Sequence, residues 1–309
     1  MLLFDALQEF ELSKDHSPSS KQWYLSRLSS FIAWMTEQDV TTIEAVSAPL
    51  VRRYIDFRRT APSKTGKPLD SHTLHGHVRA IRAFLNWAIG DDLINEKVVK
   101  RIALPVREQK ILPVLSKPQI DRLFAACDTS ETPEYVARNR AILAVLLDSG
   151  LRANELCSLE TSDAHLSDDD AYLIVRTGKG RRQREVPLGK KARLLLAKYI
   201  HRHRPRGGAA LFVAKGGSPL TVSGLEQLIG RLIQAAGEAY FAGLKQGAHL
   251  FRHTFAVTAL EAGMDIYRLS RIMGHSTVST TEGYLKSFTA RQARTGSISP
   301  LDVATRRGR

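Results

Sequence analysis

The chain has 309 residues, and 43% of them are hydrophobic, which is enough to build buried cores and excludes a disordered chain. Lysine and arginine number 45 against 31 aspartates and glutamates, and the resulting net charge of +14 favours a polyanionic partner. Two cysteines exclude a disulfide framework, and no apolar stretch approaches the roughly 18 residues of a membrane span, so we expect a soluble cytoplasmic protein.

Helical periodicity runs through the first third of the chain. Apolar residues recur at helical spacing from Leu3 to Phe10, from Trp23 to Trp34 after a Pro18 start, and from Val78 to Ala88. The pattern predicts a small helical domain over residues 1–103. A polar Gly/Pro turn in it, APSKTGKPLDS, carries Lys64 and Lys67 as candidate phosphate contacts.

The next segment, LPVREQKILPVLSKPQ, contains three prolines. Because proline interrupts helices and strands, this composition predicts an extended linker over residues 104–116 and a helix from about Lys117. A second domain is then expected over residues 117–290, with a C-terminal tail over residues 291–309. Helical patterns dominate this second domain as well.

One segment of the second domain alternates apolar and polar residues, AYLIVRTGKGRRQREVPL. The alternation on both sides of Gly178-Lys179-Gly180 predicts a β-hairpin with the glycines at its turn. Residues 176–206 include twelve lysines or arginines and a single acid, Glu185. A run of one sign favours a phosphate-contacting face over an ordinary solvated surface, and its first candidates are Arg176, Arg181, Arg182 and Arg184.

Several polar residues lie beside predicted helix ends. Arg152 follows an apolar helix that Gly150 terminates, and Glu155 lies three residues further on. In HLFRH, His249 and Arg252 are one helical turn apart. Taken singly, each of these residues is more typical of a surface ion pair or a helix cap than of a catalyst.

The last predicted helix before the tail, DIYRLSRIMG, has Asp265 as its N-cap and stops at Gly274. His275 stands at that stop, and Tyr284 follows nine residues later in a run of small hydroxylated residues. Such a run does not predict a hydrophobic core, so an isolated tyrosine in it requires another explanation.

Taken in order, SGLRANEL, TGKG, HLFRH and MGHSTVSTTEGY resemble the active-site motifs of the tyrosine recombinases, also called the phage integrase family, and in particular the two-domain Xer-like members. The residues that carry the resemblance are Arg152, Lys179, His249, Arg252, His275 and Tyr284. The resemblance implies a mainly α fold with a small antiparallel β-sheet in the C-terminal domain. It also implies a helical SAM-like core-binding domain that, together with the catalytic domain, forms a C-shaped clamp around DNA.

For this family, the resemblance implies cleavage and rejoining of DNA strands through a covalent 3′-phosphotyrosine, without metal, ATP or another cofactor. Tyr284 would be the nucleophile, Arg152 and Arg252 would bind the phosphate, and His275 would donate a further hydrogen bond. His249 would accept the phenol proton, oriented by Glu155, and Lys179 would protonate the departing 5′-oxygen. A phenol has a pKa near 10 and is only about one thousandth ionised at pH 7, so nearby guanidiniums would compensate.

The resemblance also implies partners: double-stranded DNA with inverted-repeat recombination sites, and four protomers on two sites. The tail is a candidate for exchange between protomers. A type IB topoisomerase-like nicking-closing enzyme and an inactive DNA-binding regulator remain alternatives. The regulator would have no reason to retain all six groups. A metal-dependent nuclease would require clustered carboxylates, which the motifs do not supply.

Overall fold

The computed structural model describes residues 1–13, 15–61, 66, 68–106, 113–176, 183–275 and 277–295. The chain divides into two compact units, Met1–Lys110 and Ile111–Arg309. The exact domain, linker and tail bounds given by the sequence stay a prediction. No helix in the described ranges is long and apolar enough to cross a membrane.

The first unit is helical over its described residues. Its helices are α1 (Leu3–Leu12), α2 (Pro18–Glu37), α3 (Ala48–Thr60), α4 (Ser71–Gly90) and the short α5 (Lys97–Lys100). The helix α2 begins at Pro18 as predicted, since the missing N–H of proline costs nothing in a first turn, and the Ser17 hydroxyl accepts from Ser20 N. Aromatic rings fill the core between the helices, with Phe10, Phe31 and Phe84 fully buried.

The second unit has more helices and the sheet. Its helices are α6 (Lys117–Ala126), α7 (Pro133–Ser149), α8 (Ala153–Cys157), α9 (Lys190–Lys198), α10 (Val222–Ala235), α11 (Ala248–Glu261), α12 (Ile266–Met273) and α13 (Val278–Thr295). Its main core lies around α7, where every residue from Ala141 to Leu146 is buried. A smaller cluster joins α11, α12 and α13 and includes Tyr284.

The sheet is antiparallel, with β1 (Ala164–Leu166), β2 (Ala171–Arg176) and β3 (Gln183–Pro187) in chain order. The predicted hairpin is confirmed, because β2 and β3 pair directly on either side of the glycine-containing segment. Leu173 pairs with Val186, and both side chains are buried. Because alternate residues of a strand share a face, Arg184 lies on the same inward side as Val186.

Two glycines end helices that lead into the candidate site. Gly150 follows α7 with a φ of 60°, and a Cβ there would lie 2.4 Å from Phe255 Cδ1. Gly274 follows α12 with a φ of 63°, after a helix that begins at the predicted Asp265 cap. Only glycine adopts this left-handed conformation without strain, so both helices turn sharply at the predicted positions. The predicted mainly α fold with a small antiparallel sheet is confirmed.

Candidate active site

Arg152 lies in the turn between α7 and α8. The carboxylate of Glu155 accepts the backbone N–H of Arg152 at 2.9 Å, which satisfies one of the free donors at the start of α8. The same carboxylate pairs with Arg152 Nη1 at 2.9 Å, so backbone and side chain are held together. The side chain is still 43% exposed, and its Nη2 donates to the carbonyl oxygen of Gly274 at 3.4 Å. Glu155 therefore holds Arg152 in place, while part of the Arg152 side chain stays accessible to solvent.

Arg252 lies on the first turns of α11 and is only 2% exposed. Its Nη1 donates to Gly150 O at 2.6 Å, and its Nη2 donates to Met273 O at 2.9 Å. Burial, followed by the positive charge of Arg152, lowers the pKa of Arg252, whereas Tyr284 raises it through its charge and a side-chain hydrogen bond. Because guanidinium remains charged even after a substantial shift, α11 delivers a permanent buried cation to this site.

The C-terminal end of α12 explains why arginines gather here. The last carbonyls of a helix have no partners within it, and they carry the negative end of the helix dipole. Arg184 Nε donates to Ile272 O at 2.8 Å, while Arg152 Nη1 and Arg252 Nη2 both donate to Met273 O. Three guanidiniums from distant parts of the sequence thus converge on one helix end.

Glu155 balances this positive charge. Arg184 Nη1 and Nη2 donate to its two oxygens at 3.0 and 2.8 Å, in addition to the contacts from Arg152. Burial alone would raise the pKa of Glu155, but the hydrogen bonds from Arg184 and the Arg152 backbone lower it below its ordinary value. Glu155 therefore stays ionised and holds two arginines in place.

His275 directly follows α12. Its backbone N–H donates to Ser270 O at 3.1 Å, which completes the turn at Gly274 and fixes where the ring begins. The ring lies between two partners: Nε2 is 2.7 Å from Arg252 Nη2, and Nδ1 is 2.7 Å from Thr281 Oγ1. Burial, and then the charges of Arg252 and other nearby arginines, lowers the pKa of His275 to about 4, so the ring is neutral at pH 7.

Tyr284 lies on α13 and is 8% exposed. Its ring stacks almost parallel to that of His275, with 6.1 Å between the ring centres, and lies 5.3 Å from the ring of His253. Arg252 donates a side-chain hydrogen bond to this same tyrosine, and that bond raises the pKa of Arg252. The phenol and the arginine cluster therefore meet within a single chain.

His249 lies one turn before Arg252 on α11, with an exposed side chain. Loss of hydration, and then the charges of Arg252 and Lys245, lowers its pKa. A neutral imidazole at the edge of a cationic site is suited to accept a proton.

Comparison with known proteins identifies the family to which this chain belongs. The model of the phage integrase family matches residues 113–291, more than half of the chain. The chain belongs to the phage integrase family. The model of the phage integrase SAM-like domain matches residues 2–104 of this family member.

Similar curated proteins support the same assignment. The integrase-family chain is 30% identical over 286 residues to tyrosine recombinase XerC of Bacillus pumilus, covering 90% of this chain and 89% of the relative. It is 28% identical over 298 residues to tyrosine recombinase XerD of Oceanobacillus iheyensis, covering 93% and 95%. The predicted assignment to the tyrosine recombinases is therefore confirmed, and so is the function of a site-specific DNA recombinase.

Two solved structures share the fold. One is XerH site-specific recombinase bound to palindromic difH substrate, with a TM-score of 0.72, 22% identity, and coverage of 90% of this chain and 79% of that one. The other is the Tn1549 transposon integrase in complex with a circular intermediate DNA, with a TM-score of 0.73, 19% identity, and coverage of 95% and 99%.

Within this integrase-family site, the structure brings together most of the predicted residues. Arg152, Glu155, Arg252, His275 and Tyr284 are linked by the contacts above, and His249 lies beside Arg252. The predicted Lys179 falls outside the described residues, as do the candidate DNA contacts Lys64, Lys67, Arg181 and Arg182.

Two of the predicted residues have partners inside the protein that the sequence did not indicate. Arg184, predicted to contact DNA, is 13% exposed, and its hydrogen bonds go to Glu155 and Ile272. Glu155, predicted to orient His249, is engaged by two arginines instead. The alternation of β3 could have shown that Arg184 points inward with Val186. Arg176 is half-exposed and paired with Asp163 and Glu160, so its DNA contact stays a prediction.

Sequence reasoning also missed Thr281 and the position of His253. Both side chains are buried beside the rings of His275 and Tyr284. Thr281 precedes Tyr284 by three residues on α13, a spacing that places both on one helix face. That spacing could have indicated from the sequence that Thr281 belongs to the site. His253 follows Arg252 directly, and nothing in HLFRH distinguishes it from a core histidine.

Proposed function

We propose that Tyr284 is the nucleophile of this recombinase. Its hydroxyl oxygen attacks a DNA phosphorus, the bond from phosphorus to the 5′-oxygen breaks, and a 3′-phosphotyrosine and a free 5′-hydroxyl result. The observation that carries the proposal is the placement of a buried phenol against Arg252 and the ring of His275. Because the phosphotyrosine retains the energy of the broken ester, a 5′-hydroxyl of another strand can reverse the step without ATP.

The two arginines neutralise the phosphate. Arg252 is held by two backbone carbonyls, and Arg152 by Glu155, so both cations are in position before DNA arrives. A phosphate oxygen is a stronger acceptor than the carbonyls that Arg152 contacts at 3.3 and 3.4 Å. A well-placed arginine contributes about 10³ to 10⁵ in rate to other phosphoryl transfers. Preorganised guanidiniums thus supply most of the electrostatic stabilisation here.

Protons move at the two oxygens that change bonding. The phenol gives up its proton as it attacks, and neutral His249 accepts it at the exposed edge of the site. The departing 5′-oxygen requires a proton, and we assign that transfer to Lys179 by family resemblance. His275 donates a hydrogen bond to a phosphate oxygen.

The DNA partner is expected to carry inverted-repeat recombination sites, and four protomers would act on two of them. The solved relatives in complex with DNA and the net charge of +14 support a DNA partner. Lys64, Lys67, Arg176, Arg181 and Arg182 remain the proposed phosphate contacts, and exchange of the tail between protomers remains a proposal. Because the partner is DNA, we also infer a cytoplasmic location.

A nicked suicide duplex tests the proposal. Cleavage beside the nick releases a short fragment and traps the protein on DNA as a covalent adduct that survives denaturing gels. We expect an adduct with the unsubstituted chain in EDTA, none with Tyr284→Phe, and almost none with Arg152→Ala. Tyr267→Phe is the matched control, since Tyr267 is exposed on α12. An adduct that persists in Tyr284→Phe would refute the assignment.

A further inference from the structure

The hydrogen bonds around His275 determine which ring nitrogen carries its proton. Arg252 Nη2 lies 2.7 Å from Nε2, and a guanidinium can only donate. Nε2 therefore accepts, and the proton of the neutral ring is on Nδ1. Nδ1 must then donate to Thr281 Oγ1, which is 2.7 Å away. In the DNA-free state, the ring thus donates towards α13 and accepts from the arginine cluster.

Binding phosphate requires the opposite arrangement. In the function proposed above, His275 donates to a phosphate oxygen, and the edge that faces the arginine cluster is Nε2. Nε2 must then carry the proton, and Nδ1 must accept. Arg252 Nη2 is released to donate to the phosphate, a stronger acceptor than imidazole.

We propose that Thr281 is a positioning residue that lets His275 exchange its protonated nitrogen when DNA binds. A hydroxyl can accept from Nδ1 in one state and donate to it in the other, whereas a carbonyl or an ammonium would allow only one of the two. The exchange is balanced: Nε2 gains a proton from water, Nδ1 loses one to water, and the ring stays neutral.

The location of Thr281 makes this hydroxyl hard to replace. Its side chain is fully buried, so removal of the hydroxyl takes away the hydrogen-bond partner that Nδ1 has in both states. It also lies one helical turn before Tyr284 on α13. The same helix face therefore holds the His275 ring and presents the nucleophile. This inference rests on the proposed function, since it concerns the phosphate-binding state of that site.

Single-turnover cleavage of the nicked duplex, at saturating protein, tests the proposal. Thr281→Ala and Thr281→Ser both remove the methyl group and differ in the hydroxyl alone. We expect Thr281→Ala to slow adduct formation about 10- to 100-fold, the effect of leaving one buried polar group unpaired, and Thr281→Ser to stay within about threefold of the unsubstituted rate. Thr281→Val, which preserves the volume, should behave like Thr281→Ala. Thr280→Val is the control, because the Thr280 hydroxyl is exposed and 3.2 Å from that of Thr277.

A second background separates positioning from packing. In His275→Gln, an amide N–H replaces Nε2–H, and no ring nitrogen needs to exchange a proton. Thr281→Ala should therefore change the rate less than about threefold in that background. The proposal is overturned if Thr281→Ala cleaves at the normal rate, if Thr281→Ser is as slow as Thr281→Ala, or if the loss persists beside His275→Gln. Failure of the proposed function differs from these outcomes, because the unsubstituted chain would then form no adduct through Tyr284.

Discussion

Arg152 and Arg252, a hundred residues apart in the sequence, donate to the same acceptor, the carbonyl oxygen of Met273, at 3.3 and 2.9 Å. Two guanidiniums that share one acceptor repel each other. The negative C-terminal end of α12 and the ionised carboxylate of Glu155 offset this repulsion. The free C-terminal end of a helix therefore assembles the phosphate site before the phosphate arrives.

The two arginines should respond differently to substitution by lysine. Arg252→Lys offers one nitrogen where Nη1 and Nη2 each pair with a different carbonyl, so we expect a loss of about 2 kcal/mol in the free energy of unfolding from weakened buried hydrogen bonds. Arg152→Lys keeps an exposed charge and should lose less than about 1 kcal/mol. Both should slow cleavage at least about 100-fold, since neither lysine offers a planar fork. Urea unfolding and adduct kinetics measure the two effects, and equal destabilisation would contradict the prediction.

Gly274→Ala should impair catalysis as well as stability. At a φ of 63°, any Cβ is strained by about 1 kcal/mol, and here it would also lie 2.8 Å from Arg184 Cζ. Gly263→Ala is the matched control: its φ is 85°, and an added Cβ meets nothing within 4 Å. Both variants should lower the free energy of unfolding, and Gly274→Ala should lower it more, because its Cβ also displaces Arg184 from its partners. Only Gly274→Ala should slow cleavage, about tenfold, and a similar loss in Gly263→Ala would show that strain alone is responsible.

Arg184→Gln should leave the electrostatics of DNA binding almost unchanged. Arg184 donates to Glu155 and Ile272 instead of facing solvent, so no phosphate contact is lost. We expect the slope of log affinity against log salt to change by less than about 0.5, whereas loss of one phosphate contact changes it by about 0.9. The free energy of unfolding should fall by about 2 kcal/mol, because a buried pair with Glu155 is broken. A full unit of slope change would restore the DNA-contact role.

Glu155 should make folding stability depend on pH. Its pKa is lowered in the folded state, so its stabilisation is fully present above the unfolded value of about 4.3 and is lost as the pH falls through the folded value. The difference in free energy of unfolding between the unsubstituted chain and Glu155→Gln should therefore be largest near pH 7 and shrink below about pH 4. Urea unfolding at several pH values measures it. A difference that grows as the pH falls would have the wrong sign.

Local patterns in the sequence were sufficient to predict the helices and the hairpin around the site, and to predict the family. Pro18, Asp265 and Gly274 mark helix ends in the expected way, because each acts through its own backbone or through a neighbouring N–H. The hairpin follows from alternation within one segment. The motif order, read as a family resemblance, pointed to Tyr284 and the two arginines.

Only the tertiary structure decided which partner each charged group has. Arg184 reads as one more cation in a basic run, yet the pairing of β2 with β3 turns it inward to Glu155, 29 residues away. The contact between Arg152 and Met273 spans 121 residues, and no local periodicity encodes such a distance. Likewise, the C-terminal end of α12 meets the three arginines, and Thr281 is buried beside His275, only once these distant elements pack together. Sequence patterns describe single elements, whereas a hydrogen-bonded charge network depends on the distances between them.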